Sequence, residues 1–199
     1  ALGSIAMERE ITKYGNPVLR RKGAEIPEIT PEIQSLIDDM LVALEKAQGV
    51  GLAAQQVGVE LQLCVIDVRP SDRPSWMEVD GQKVDPAEYC PMTLINPVLT
   101  PDGTEVEVGP EGCLSFPDIF ADIKRPAVIQ VQAQGRKGET LKFRCGGLMA
   151  RAIQHECDHL QGILFIDRMG YMDREDNDEA LRKLRSRTKE RLKRRSLRG

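Results

Sequence analysis

An α+β domain, with antiparallel sheets packed around one central helix and a further helix at the C-terminus, is the fold class the sequence predicts. Three observations predict it. The order of patterns along the chain is amphipathic helix, several short strands, helix, basic helix, with no internal repeat. The chain has 199 residues of which 41% are hydrophobic, enough for one sizeable core. Turn signals punctuate the middle of the chain at the spacing of antiparallel strands.

The first element runs from Thr30. TPEIQSLIDDMLVALEKAQG offers an N-cap, Pro31 at the first helical position, apolar residues at 33, 36, 37, 40, 41 and 44, and a stop at Gly49. GVGLAAQQVG follows, with glycines at 49, 51 and 58 that let the backbone approach another group closely. LQLCVIDV at 61–68 is an apolar run of strand character. Residues 69–92, rich in Pro, Asp and Gly and holding Trp76, read as a long surface loop or a small hairpin. Strand-like pieces occupy 93–99, 104–108, 127–134 and 139–145, separated by Pro-Asp-Gly at 101–103 and Gly-Arg-Lys-Gly at 135–138. GLMARAIQHECDHLQG then reads as a helix from Leu148 to Gly162.

Composition excludes several classes. Five cysteines with no C-x-x-C pair argue against a disulfide framework and against a structural zinc ribbon, and fit a reducing, bacterial cytoplasm. No run approaches the roughly 18 apolar residues of a membrane-spanning helix, so no membrane partner is expected. Residues 1–6 lack the features of a signal peptide and read as a cloning remnant, leaving 7–170 as a catalytic domain and 171–199 as a basic helix or tail. Residues 181–199 hold ten Lys or Arg against one acid, while the rest of the chain carries a net charge of −12. Such a block is either a solvated helix face or a site for a polyanion such as ribosomal RNA; DNA is not an expected partner.

The only two histidines, His155 and His159, stand four apart in His-Glu-Cys-Asp-His. On a helix, positions i and i+4 face the same way, so both imidazoles can reach one metal ion and Glu156 a water bound to it. A catalytic site of this class normally needs a third protein ligand, which could be Cys, Asp or Glu. Cys113 is the strongest candidate, because Gly112 and Pro117 imply a tightly turned backbone that fixes its thiol; Cys157 points off the histidine face and reads as packing. Glu179, twenty residues beyond His159, would be the third ligand of a thermolysin-type zinc endopeptidase. A non-catalytic chain that binds ribosomes through its basic end, with a purely structural metal, is a rival of a different class.

Three segments, GVGLAAQQ at 49–56, EGCLS at 111–115 and QHECDHLQG at 154–162, together resemble the peptide deformylase family. The resemblance implies that Cys113, His155 and His159 bind the metal and that Glu156 is the general acid and base. Gln56 and the backbone N–H of Leu114 would hold the oxyanion, and Gly49, Val50 and Gly51 would line the substrate groove. Glu111, held by Arg125, would support the site from behind. The implied reaction is hydrolysis of the N-formyl group of formyl-methionyl nascent peptides, with hydroxide on the metal attacking the formyl carbonyl. Fe(II) is implied in the cell, with Zn, Ni or Co able to replace it in purified protein, and the basic tail resembles the helix by which some members dock at the ribosome. Arg151, one turn before His155, stands where some members carry an apolar residue near the methionine pocket.

Overall fold

The computed structural model describes residues 8–199, so the segment 1–6 read as a cloning remnant lies outside the described residues. Helix α1 (Pro31–Ala47) forms where its apolar spacing places it. The Thr30 hydroxyl accepts from the Ile33 N–H at 3.2 Å, and Gln48 ends the helix in the left-handed region at φ 54°.

Nine strands follow: β1 (Gly51–Ala53), β2 (Leu63–Ile66), β3 (Ser75–Val79), β4 (Gln82–Val84), β5 (Met92–Pro101), β6 (Val106–Cys113), β7 (Phe116–Pro126), β8 (Val128–Gln134) and β9 (Thr140–Gly146). Seven form one sheet in the order β1-β2-β5-β8-β9-β3-β4, and β6 with β7 forms a separate ribbon. Every pairing between these strands is antiparallel.

Helix α2 (Gly147–Leu160) packs on one face of the large sheet and α1 on the other. Strand β2 shows why its run is continuously apolar. Its side chains alternate between faces, so Cys64 and Ile66 join the α2 cluster while Leu63 and Val65 join the α1 cluster. A third cluster, with Phe116, Ile119, Ile123, Phe165 and Leu181, seats the ribbon and helix α3 (Tyr171–Ser196) on the body.

Residues 116–126, which the sequence pattern leaves unassigned, form an eleven-residue strand. Ile119, Ala121 and Ile123 do alternate inward, but the next inward position is Arg125, whose charge masks the pattern. The 69–92 segment resolves in favour of a hairpin, β3–β4, at one edge of the sheet. It also finishes α2: the Pro74 carbonyl accepts from the Leu148 N–H and the Ser75 hydroxyl from the Met149 N–H, both at 2.9 Å, satisfying donors that open a helix.

Helix α3 is continuous and docked. Leu181 and Thr188 are buried, and Glu10 accepts from Arg195 at 2.7 Å and from Arg191 at 3.5 Å. Five of its six acids lie within residues 173–179 and its bases gather towards its end, the order that the helix dipole favours. Among the described residues no helix is long and apolar enough to cross a membrane.

Candidate metal centre and active site

Helix α2 carries His155, Glu156 and His159 inward from its buried face, as the four-residue spacing requires. The third donor comes from far away in sequence. Strand β6 ends at Cys113, where a bulge after Gly112 and the tight pairing of Cys113 with Phe116 turn the ribbon and aim the thiol at the helix. Cys113 Sγ lies 3.4 Å from His159 Nε2. The ligating atoms of Cys113, His155 and His159 all lie within 4.8 Å of one another. Donors about 2.1–2.3 Å from one tetrahedral ion stand about 3.6 Å apart, so this set fits a single first-row divalent cation.

Glu111, two residues before Cys113, organises the surroundings. It faces inward from β6, and its carboxylate accepts from Arg125 at 2.5 and 2.8 Å, from Arg151 at 2.8 Å and from His155 Nδ1 at 2.8 Å. Burial alone would raise its pKa, but the hydrogen bonds from Arg125 and His155 outweigh burial and hold the carboxyl well below the usual carboxylate range. An ionised Glu111 keeps the proton of His155 on Nδ1 and leaves Nε2 able to ligate a metal ion. Burial likewise works against a charged His155, yet hydrogen bonds with the Cys113 thiol and Glu111 raise its pKa. His159 is pushed the other way by burial, towards the neutral form that ligates. Its Nδ1 meets no hydrogen-bond partner among the described residues.

Glu156 is 2% exposed, and burial pushes its carboxyl up to about 7. Its nearest basic atom, His159 Nε2, lies at 4.0 Å. A Cβ on Gly51 would sit 2.7 Å from Glu156 Cγ, so β1 can pass the carboxylate only as glycine. Gln56 belongs to a short 3-10 turn, Ala54–Val57, whose geometry fixes the amide. Its Oε1 accepts from the Ala53 N–H at 2.9 Å, which turns Nε2 towards Ser115 Oγ at 3.2 Å and Cys113 Sγ at 3.5 Å.

These groups open into a cavity of about 530 Å³. Gly49, Val50, Gly51 and Leu114 line it beside Gln56, Cys113, His155 and Glu156, while His159 stands buried behind. Strand β1 is an edge of the sheet, so its backbone is open to an extended chain on the cavity side. Leu148, Ala152 and the stem of Arg151 form an apolar recess. The Arg151 guanidinium leaves that recess to donate to Glu111 and to the carbonyls of Ile123 at 2.8 Å and Glu107 at 3.0 Å. An arginine here thus contributes its methylenes to the pocket and its charge to the ribbon.

Two roles escaped the sequence reading. Asp158 accepts from Arg125 at 2.9 Å and from Arg168 at 2.6 and 2.9 Å, tying the metal helix to the ribbon and to the segment before α3. Phe165 packs its ring 5.7 Å from that of His155. The i+2 position of Asp158 relative to Glu156 puts it on another helix face, where only the fold reveals its partners. Glu179 is exposed on α3 and pairs with Lys183 at 3.0 Å, so the endopeptidase's third ligand is not at the metal centre.

Residues 8–175 match the family described as Polypeptide deformylase. The chain is 46% identical to a peptide deformylase of Opitutus terrae over 164 residues, covering 82% of this chain and 85% of the relative. A peptide deformylase of Zymomonas mobilis is 43% identical, with coverage of 82% and 87%. Among solved structures, the plant peptide deformylase PDF1B superposes with a TM-score of 0.79 at 31% identity, covering 94% and 95% of the two chains. The peptide deformylase of Synechococcus elongatus in complex with actinonin gives 0.75 at 35% identity, covering 88% and 86%.

Proposed function

Because the chain belongs to the polypeptide deformylase family, hydrolases that remove the N-formyl group from nascent peptides, we propose that Cys113, His155 and His159 hold the catalytic metal and that Glu156 moves the protons of the reaction. The observation that carries this reading is the convergence of three ligand atoms, a buried carboxylate and an oriented amide on one cavity. A divalent cation held by these residues would supply Lewis acidity for the hydrolysis.

The formyl-methionyl backbone lies along the open edge of β1, against Gly49, Val50 and Gly51, with the methionine side chain in the recess of Leu148, Ala152 and the Arg151 stem. Glu156 accepts the proton of the attacking water and delivers it to the departing amine nitrogen. Gln56 Nε2–H and the N–H of Leu114 donate to the oxyanion that forms on the formyl carbon. Glu111, clamped by Arg125 and Arg151, orients His155, and formate leaves as product. Fe(II) is the metal in the cell that the family resemblance implies; a Cys, His, His set accepts several first-row ions, so Zn, Ni or Co can replace it in purified protein.

Formate release from formyl-Met-Ala-Ser by anaerobically prepared, Fe(II)-loaded protein tests the reading. Gln56→Leu is expected to lower kcat by about 10²- to 10³-fold, the usual cost of losing one preorganised oxyanion donor, with metal content unchanged. A drop of less than threefold would remove Gln56 from the mechanism.

Docking of the α3 end at the ribosome belongs to the same proposal. It rests on the exposed Lys189, Lys193 and Arg198, none of which serves the pairing of Arg191 and Arg195 with Glu10. The triple change of these residues to Glu is expected to abolish cosedimentation with ribosomes at low salt while formate release from the tripeptide persists. This is a sharper test than deleting 181–199, which would also strip the buried Leu181 from the core.

A further inference from the structure

Lys13 lines the cavity yet lies on no helix or strand and takes no part in the metal centre. Two backbone hydrogen bonds put it there. Thr12 N–H donates to the Gln56 carbonyl at 2.8 Å and Tyr14 N–H to the Ser115 carbonyl at 2.9 Å, so residue 13 is strung between the turn that holds the oxyanion amide and the turn that follows the metal cysteine. Of the other cations in the lining, Arg73 donates to the Pro110 carbonyl at 3.1 Å and Arg151 is held by Glu111 at 2.8 Å.

Glu10 and Cys113 act on the ammonium through space only, neither as a direct partner. The ammonium donates to the carbonyl of Ile11 at 2.9 Å, and among the described residues it forms no ion pair. The nearest acid in sequence, Glu10, is committed to Arg195 and Arg191 of α3. The rim acid, Asp118, also lines the groove beside α3 with Lys183 and Arg187. Burial lowers the Lys13 pKa, the mark of a cation partly withdrawn from water. A half-desolvated, unpaired ammonium is completed by an anion, and the one ligand that must traverse this cavity is the peptide itself. An extended chain advances about 3.3 Å per residue, so the first three residues beyond methionine extend about 10 Å from it.

Resting on the deformylase reading, we propose that Lys13 is a specificity-determining residue that favours nascent peptides with an Asp or Glu side chain among the first three residues after formyl-methionine. The test is a panel of formyl-Met peptides with Asp, Glu, Ala or Lys at each of those positions, assayed for formate release at low ionic strength. At one position the acidic peptides are expected to exceed the alanine peptide in kcat/KM by about three- to tenfold, through KM, with lysine below alanine. Lys13→Met abolishes the preference, Lys13→Glu reverses it, Lys13→Arg keeps it, and 0.5 M salt flattens it in the wild type. Comparing ratios within each variant separates charge recognition from any general loss of activity. Equal kcat/KM across the panel, or a preference that survives in Lys13→Met, overturns the assignment. Absence of turnover on every peptide would instead overturn the deformylase reading beneath it.

Discussion

Glu156→Gln is expected to lower kcat for formate release by about 10²- to 10⁴-fold while leaving metal content and fold intact. The substitution preserves shape and removes only the capacity to take up and hand on a proton. Glu156 makes no close ion pair, its nearest basic atom being 4.0 Å away, and its carboxyl is buried at a cost. Neutralising it therefore removes a desolvated acid without orphaning a cation, and the melting temperature should stay level or rise. Single-turnover formate release, metal analysis and thermal unfolding on the same sample check all three. A kcat within tenfold of wild type would assign proton transfer to some other group.

The second large effect is structural. Arg125 is 4% exposed and bridges two acids, Glu111 on β6 and Asp158 on α2. Arg125→Met leaves Glu111 with Arg151 and His155 as partners, and Asp158 with Arg168. Breaking a buried pair from one side typically costs about 3–5 kcal/mol, because the surviving charge stays desolvated. At about 2–4 °C per kcal/mol for a chain of this size, the melting temperature should fall by roughly 10 °C. On the proposed assignment the metal should also bind about 10- to 100-fold more weakly, since Glu111 accepts from Nδ1 of the proposed ligand His155. Urea unfolding and competition with a chelator measure the two effects. A variant as stable as wild type would show that Arg151 alone satisfies Glu111.

How much of this was legible in the chain follows the range of the forces involved. The spacing of His155, Glu156 and His159 and the inward stripe of α1 are consequences of a 3.6-residue period, and they stand in the structure where the pattern puts them. Hairpin edges proved less legible. Strand β6 was read as ending at 108 but runs on to Cys113, because Gly109, Pro110 and Gly112 look like loop residues until their pairing with β7 is seen. Strand β7 was missed because its inward row ends on a charged residue that only a partner across the ribbon makes tolerable.

The sequence by itself determined the chemistry available to this protein: two imidazoles and a carboxylate on one helical face, a thiol between glycine and proline, and small residues where a backbone must come close. Those features depend on neighbours within a turn or two, so local geometry suffices to read them. The tertiary structure decided which of them meet, and around what. It brought Cys113 to His159 across 46 residues, turned Arg151 from a doubtful pocket wall into a partner of Glu111, and stretched the N-terminal segment past Gln56 so that Lys13 faces the cavity. None of these contacts has a sequence period, because each depends on strand register and on which buried charge finds a partner, and those are settled only when the whole core packs.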